Sequence, residues 1–375
     1  MTASPRLQRT AIYIGGFLGP FAGQALGVIL PEFGGSFGLS VPTASLTLTA
    51  YLLPFAVVML FSTHLVRNLS PSRVILTAYA VTAVCTVILI FSPWWWLFLV
   101  AYSIMGIANA FTTPVLQIVL RRVTPPAQLG GALGTYTAMQ SLGILATPLV
   151  AGLVAEISWR IIFGITFALV CGVLVIKVPH IAPTPPNKRA PEAIDWGATL
   201  ANMLACYAVG ASIIGSAFLI ALQADNSFST NATQRGLIVM CGGLAAALFA
   251  RVLGQLSDRV GANRMLIASL TIAALSILLI PHAQSPWLLA TLWGLTVLTG
   301  QTAQTCINVT TLRASGGERT LSTVQAFRYF GSASTPLLIL PLFSHNALLG
   351  FALAASLLLV AVLALSLRSL RSPGI

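Results

Sequence analysis

Three amide side chains at regular spacing are the residues whose types and positions most clearly indicate chemistry. Gln301, Gln304 and Asn308 stand at positions i, i+3 and i+7 of a largely apolar stretch, so a helix would place them on one face. An amide without a hydrogen-bond partner in apolar surroundings costs several kcal/mol. The spacing therefore predicts a face that either lines a hydrated cavity or bonds to a neighbouring helix.

Further amides lie well inside other apolar stretches and have the same two interpretations. They are Gln24, Asn109, Gln117, Gln140, Asn202 and Gln325. Together with the three regularly spaced amides, they form a candidate substrate cavity.

Arg328 is a cation inside an apolar stretch. Arg328 lies roughly 12 Å along the helix from the N-terminal end of that stretch, at 1.5 Å per residue. If the two halves of the chain are structurally equivalent, Arg328 stands opposite Gln140. It is a candidate anchor for an anionic or strongly polar substrate group. The alternative is a structural role, in which Arg328 bonds helix carbonyls or extends to the membrane surface.

The remaining reactive residue types do not form a catalytic or metal-binding pattern. Each of the seven acids lies at the end of an apolar stretch or in a loop, as does each histidine, and the five cysteines are isolated within apolar stretches. No G-x-x-x-x-G-K-[ST] loop is present, which excludes an autonomous ATP-driven pump. We therefore expect neither an enzyme nor a bound cofactor or metal.

Composition identifies the solvent that surrounds the chain. With 57% hydrophobic and 7% charged residues it cannot cover a water-exposed surface, since soluble domains contain roughly 25% charged residues. We predict an all-α membrane protein with twelve transmembrane helices. The predicted spans lie near 11–32, 43–66, 74–92, 94–120, 128–155, 159–178, 197–222, 234–256, 264–282, 286–312, 319–342 and 346–367.

The cations predict the orientation of these spans. The net charge is +12, and of the 19 Lys and Arg residues all except Arg160, Arg235 and Arg328 fall on one side when alternate loops are counted. The positive-inside rule puts that side, with both termini, in the cytoplasm. The positive charge therefore reports topology, and we expect no nucleic-acid partner.

A Pro-rich, polar segment at 179–196 predicts a cytoplasmic linker. It would separate an N-terminal six-helix bundle, 1–178, from a C-terminal one, 197–375. Spans 1, 4, 7 and 10 contain internal amides, whereas spans 3, 6, 9 and 12 have none away from their ends. This rhythm predicts that helices 1, 4, 7 and 10 line a central pore.

Two internal echoes support an arrangement of two equivalent halves. Residues 138–148, A-M-Q-S-L-G-x-x-x-T-P, match 326–336, A-F-R-Y-F-G-x-x-x-T-P, and the charged hinge 254–264 has a degraded copy at 63–73. Parallel six-helix repeats are an architecture of secondary transporters.

The hinge GQLSDRVGANR resembles the cytoplasmic loop signature of the major facilitator superfamily, G-x-L-x-D-R-x-G-x-x-R. The resemblance implies two pseudo-symmetric six-helix bundles and a conformational latch at the helix ends, the acid being favoured near a helix N-terminus. In the degraded copy, Arg67 occupies the position of the acid, so the charge interaction there should be lost or reversed. The latch residues implied are Gly254, Asp258, Arg259, Gly261, Arg264 and Arg73.

Span 5 resembles the G-x-x-x-G-P-x-x-G-G signature of the superfamily's exporters, although Thr147 and Ala151 replace two of its glycines. By this resemblance Gly143, Pro148 and Gly152 form a gating helix, since small residues permit close helix packing and proline permits bending. The runs 37–51 and 159–163 also resemble the drug-efflux branch, whose members are drug:proton antiporters with twelve helices.

The resemblance implies a secondary active transporter that moves a small organic molecule by alternating access, in the direction of efflux. Proton coupling is not assigned, because the family pattern R-x-x-Q-G in span 4 is reduced here to Gly106; Glu32 is the candidate proton site. Alternatives are an uncoupled facilitator or importer, and a non-transporting receptor or scaffold. The expected partners are the substrate, the lipid bilayer and protons, for a monomer in the inner membrane of a prokaryote.

Overall fold

The computed structural model describes residues 4–65, 69–125, 129–181 and 193–371. Within these ranges the chain forms helices and no strands. It divides into two compact units, Met1–Lys188 and Arg189–Ile375. Most of the predicted 179–196 linker lies outside the described residues, so its role as a linker stays a prediction.

Seven helices build the first unit. They are α1 (Pro5–Gln24), α2 (Leu30–Ser36), α3 (Val41–Leu65), α4 (Pro71–Phe91), α5 (Trp95–Val123), α6 (Leu129–Ala155) and α7 (Ile161–Ile176). Helix starts follow local chemistry: Ser4 accepts a hydrogen bond from the Leu7 amide, and Pro5 and Pro71 open α1 and α4, where a missing N–H has no cost.

Among the described residues, seven α-helices, one π-helical turn and the short 3-10 helix Ile280–His282 build the second unit. The α-helices and the π-helical turn are α8 (Trp196–Val209), the π-helical turn Gly210–Ile214, α9 (Ala217–Phe228), α10 (Ala232–Val260), α11 (Ala262–Leu279), α12 (Pro286–Arg313), α13 (Gly317–His345) and α14 (Ala347–Arg371). Gly261, at φ +96°, ends α10 and begins α11, a conformation that a side chain would disfavour.

Eight helical stretches of the described residues are long and apolar enough to cross a membrane. Those near the predicted spans 11–32, 159–178, 286–312 and 319–342 are not among them. The first is divided into α1 and α2, α7 has 16 residues, and α12 and α13 contain many of the polar residues discussed above. The count of twelve spans therefore stays a prediction.

The predicted span 197–222 is helical, but it is interrupted. At the π-helical turn, the Gly215 amide donates to the Gly210 carbonyl over 2.7 Å, five residues earlier. A π turn inserts an extra residue into the helix and shifts the faces that follow. The apolar sequence of this span has no interruption, so it did not predict the π-helical turn.

In each unit, the glycine of the repeated G-x-x-x-T-P segment allows two helices to approach closely. On α6, a Cβ at Gly143 would lie 2.5 Å from the Phe17 carbonyl oxygen of α1. On α13, a Cβ at Gly331 would overlap the backbone of Tyr207 and Ala211. At both sites the side chain at this position must be a hydrogen.

A threonine lies one turn later at each crossing. Thr147 Oγ1 donates to the Gly143 carbonyl of its own helix over 2.5 Å and lies 3.5 Å from the Phe21 carbonyl oxygen, whereas Thr335 Oγ1 donates across the crossing to the Ala211 carbonyl over 2.9 Å. The echo G-x-x-x-T-P at 143–148 and 331–336 therefore encodes a similar close contact, made by α6 on α1 and by α13 on α8 and the π-helical turn that follows it. Pro148 and Pro336 follow inside their helices.

We expect Gly143→Ala and Gly331→Ala each to destabilise the protein by about 1–3 kcal/mol, because the added methyl group must push a backbone away. Gly172→Ala is the matched control, since nothing lies within 4 Å of a Cβ there. Thermal unfolding of the purified protein in detergent measures the effect. Equal stability of all three variants would contradict the close crossings.

Candidate functional site

A polar cluster joins three helices of the second unit. On α12, Gln304 donates through Nε2 to Asn308 Oδ1 over 3.2 Å, and Gln325 of α13 donates to the same oxygen over 3.4 Å. Cys206 of α8 lies 3.5 Å from Gln304 Oε1. The fold therefore brings three of the predicted amides together, namely Gln304, Asn308 and Gln325.

Arg328 lies on α13 one turn after Gln325, and its side chain is half-buried. Its Nε atom is buried and has no hydrogen-bond partner among the described residues. Its backbone carbonyl forms the close contact with Gly210 of the π-helical turn. A buried guanidinium nitrogen without an acceptor is costly, and an anionic group could supply the missing acceptor.

Gln301 does not join this cluster. It lines a separate small cavity of about 60 Å³ between α10 and α12, together with Ser257 and Cys306. Helical spacing correctly places Gln301 near the face of Gln304 and Asn308, but that face is wide enough to contact two neighbouring helices. Gln301 therefore lies in one environment, and Gln304 and Asn308 lie in another.

Asn202 has both ends of its amide occupied. Its Nδ2 donates to Thr311 Oγ1 over 3.0 Å, and its Oδ1 accepts from Thr310 Oγ1 over 3.3 Å. The residue is 1% exposed. This geometry favours the alternative role, a hydrogen bond that joins α8 to α12.

Asn109 has the same character in the first unit. Its Nδ2 donates to the Tyr51 hydroxyl over 2.6 Å and to the Gly19 carbonyl over 3.3 Å, while Oδ1 accepts from Thr112 over 2.7 Å. One amide thus connects α1, α3 and α5, again favouring the structural alternative.

Three other predicted cavity residues of the first unit are half-buried on separate helices: Gln24 on α1, Gln117 on α5 and Gln140 on α6. No hydrogen bond joins any of them to another described side chain. Their assignment to a substrate cavity stays a prediction.

Glu32 lies in the first turn of α2, next in sequence to an aromatic cluster of the first unit. The neighbouring Phe33 ring lies 4.9 Å from Phe98 and 5.1 Å from Trp159. Arg160 stacks 4.4 Å above Trp159 and donates to the carbonyl of Ser92. Residues 159–163, which resemble the drug-efflux branch, therefore belong to this aromatic cluster near the half-buried Glu32.

The predicted latch is described only in part. Arg259 is exposed in the last turn of α10, and Arg264 is exposed in the first turn of α11, on either side of Gly261. Arg73 is exposed near the start of α4. The described residues do not include the surroundings of Gly254, the side chain of Asp258 or any part of Arg67. The latch therefore stays a prediction.

The gating residues have clearer surroundings. Gly143 makes the close crossing with α1, Pro148 lies inside α6 and Gly152 is buried. Sequence reasoning missed Cys206 and Tyr51, which bond to Gln304 and Asn109. Nothing in their local sequence separates them from ordinary core residues.

We expect Asn109→Ala to lower stability by about 1–3 kcal/mol, because the Tyr51 hydroxyl and Thr112 lose a buried partner. Gln117→Ala on the same helix is the matched control and should change stability much less. Thermal unfolding in detergent distinguishes the two. A larger loss for Gln117→Ala would contradict the structural role of Asn109.

Comparisons with known proteins identify the family of this chain. The family model of the Major Facilitator Superfamily matches residues 12–207. The multidrug resistance protein MdtG of Salmonella dublin is 28% identical over 213 residues, covering 52% of this chain and 52% of that protein. MdtG of Citrobacter koseri is 27% identical over 262 residues, covering 65% of this chain and 64% of that protein.

Solved structures share the fold at low identity. The human organic anion transporter MFSD10 superposes with a TM-score of 0.72 at 15% identity, covering 96% of this chain and 99% of that one. The POT family transporter PepTSo gives 0.76 at 12% identity, covering 98% of each chain. The match of the family model to more than half of the residues shows that this multi-pass membrane protein belongs to the Major Facilitator Superfamily.

Proposed function

We propose that this protein is a secondary active transporter that exports a small organic molecule by alternating access. The observation that carries the proposal is the cluster of Gln304, Asn308 and Gln325 beside Arg328, within otherwise apolar helices. Polar and ionisable residues inside membrane helices are costly and typically mark a transport pathway. No chemical transformation of the substrate is part of this function.

Two observations favour efflux over uptake. The relatives named above are multidrug resistance proteins, and α6 contains the exporter-like Gly143, Pro148 and Gly152. The relatives are bacterial, which supports an inner-membrane location. We further propose that the protein works as a monomer, with the bilayer and the substrate as its partners.

The proposed substrate carries a negative or strongly polar group that Arg328 binds. The unpaired, buried Nε of Arg328 supports this assignment. The neighbouring amides would accept or donate additional hydrogen bonds without specifying one compound. An apolar surround would favour an amphipathic molecule.

A thermal-stability screen of amphipathic compounds should identify ligands, since a molecule that binds only the folded state raises the apparent stability. We expect Arg328→Gln to weaken binding of anionic hits about tenfold or more, because a hydrogen bond to a charged group contributes about 1.5–3 kcal/mol. Neutral hits should bind the variant as they bind the wild type. Arg328→Lys, which retains the charge, should preserve part of the preference.

Equal weakening of neutral and anionic hits would assign Arg328 a structural role. A wild type whose hits are exclusively cationic would contradict the proposed substrate class. Either result leaves the transport proposal itself to be tested by flux.

Proton coupling at Glu32 is the mechanism we propose for the energy source. In proteoliposomes with an imposed pH gradient, flux of the identified ligands should exceed flux without the gradient. Glu32→Gln should abolish this difference while leaving exchange of labelled for unlabelled ligand across the membrane. The neutral variant preserves the shape of the side chain but cannot release a proton.

The second candidate function is uncoupled facilitation. It is favoured by the position of Glu32 at the start of α2, outside the polar cluster of the second unit. Wild-type flux that is indifferent to the gradient would support facilitation and contradict antiport. Absence of flux for every stabilising ligand would instead support a receptor or scaffold.

A further inference from the structure

A second polar cavity, of about 490 Å³, lies within the second unit at the end where α8 begins and α14 ends. Its charged lining residues are Asp195, Arg264, Arg313 and Arg368. They come from the start of α8, the start of α11 and the ends of α12 and α14. Four separate helices therefore direct charge to one cavity.

The acid in this cavity is already engaged. Asp195 Oδ2 accepts from Arg368 Nη2 over 2.8 Å, and Oδ1 accepts from the Ala198 amide over 2.9 Å at the N-terminus of α8. The Asp195 amide also donates to the Ser315 carbonyl over 3.1 Å. Arg368 is thus fixed in place, and its charge is balanced by Asp195.

Arg264 and Arg313 are not balanced in this way. Both line the cavity and are exposed, and neither forms a hydrogen bond or ion pair with another described side chain. Two guanidinium groups around one cavity attract an anion, and their planar N–H donors suit the oxygens of a phosphate.

The rest of the lining is mixed. Its apolar residues include Ile267 of α11 and Leu365 of α14, and its polar residues include Asn202, Thr310 and Ser315. Trp196, next to Asp195, is 59% exposed, and tryptophan favours the membrane interface. A ligand with a phosphate and an apolar portion can contact both the guanidinium groups and the apolar residues of the cavity, whereas a free phosphate ion contacts only the guanidinium groups.

We propose that this cavity binds the phosphate-bearing headgroup of an anionic phospholipid in the inner leaflet. The positive-inside pattern predicts that this end of the unit is cytoplasmic, where basic pockets between helices bind such headgroups. The lipid phosphate contacts Arg264 and Arg313, and the start of its chains lies against Ile267 and Leu365. This site is separate from the amide cluster around Asn308.

The test uses the purified full-length protein in a neutral detergent, with thermal unfolding as the readout. Dioleoylphosphatidylglycerol should raise the unfolding temperature in a saturable manner, and dioleoylphosphatidylcholine should not. The double variant Arg264→Gln, Arg313→Gln should require about tenfold or more lipid for half of the effect, because both guanidinium groups that donate to the phosphate are lost. Arg121→Gln, at an exposed site in the last turn of α5, is the matched control and should respond as the wild type does.

Three outcomes would overturn the proposal. The phosphatidylcholine effect could equal the phosphatidylglycerol effect, the double variant could respond normally, or sodium phosphate could reproduce the shift and compete with the lipid. The last outcome would identify a site for free phosphate. Arg264 also belongs to the predicted latch, so lipid binding is the readout in place of transport.

If the double variant does not fold, salt dependence and single variants provide the decision. Added NaCl should weaken the response of the wild type to phosphatidylglycerol, because screening acts on exposed charges, and each single variant should show an intermediate response. A response of the wild type that is independent of salt would overturn the proposal.

Discussion

Hydrogen-bond satisfaction inside apolar helices is the constraint on which this structure depends. A polar side chain surrounded by apolar groups must find a partner on its own helix, on a neighbouring helix or in water. Asn109 and Asn202 satisfy this requirement by joining helices. The amides around Asn308 satisfy it partly with one another, which leaves capacity for a ligand.

Close backbone contact is the second requirement, and it explains where small residues occur. The hydrophobic effect cannot hold apolar helices together in lipid, so association depends on packing and on hydrogen bonds between helices. Gly143 and Gly331 allow the packing, and Thr335 adds a hydrogen bond across its crossing. A close glycine contact with a threonine one turn later occurs in both units, and the repeated G-x-x-x-T-P sequence encodes it.

Charge is concentrated at the helix ends, where its surroundings determine its role. Arg235 pairs with Asp225 across the α9–α10 turn, and Arg368 pairs with Asp195 at the start of α8. Arg264 and Arg313 lie at helix ends without a described partner, and Arg328 lies inside α13. Cations without an acidic partner attract anions, so these positions are the basis of both ligand proposals.

The sequence by itself determined the membrane class, the all-helical fold and the repeated G-x-x-x-T-P segment, because hydropathy, proline, glycine and spacing are local properties of the chain. It also identified Asn308, Gln304, Gln325 and Arg328 as unusual, since polar residues are conspicuous among apolar neighbours. Only the tertiary structure decided which amides bond helices, that Gln301 faces α10, and that Asp195, Arg264, Arg313 and Arg368 share one cavity. The physical reason is that a hydrogen-bond partner or an ion partner lies on another helix, often more than a hundred residues away, and helical periodicity specifies a face without specifying what packs against it.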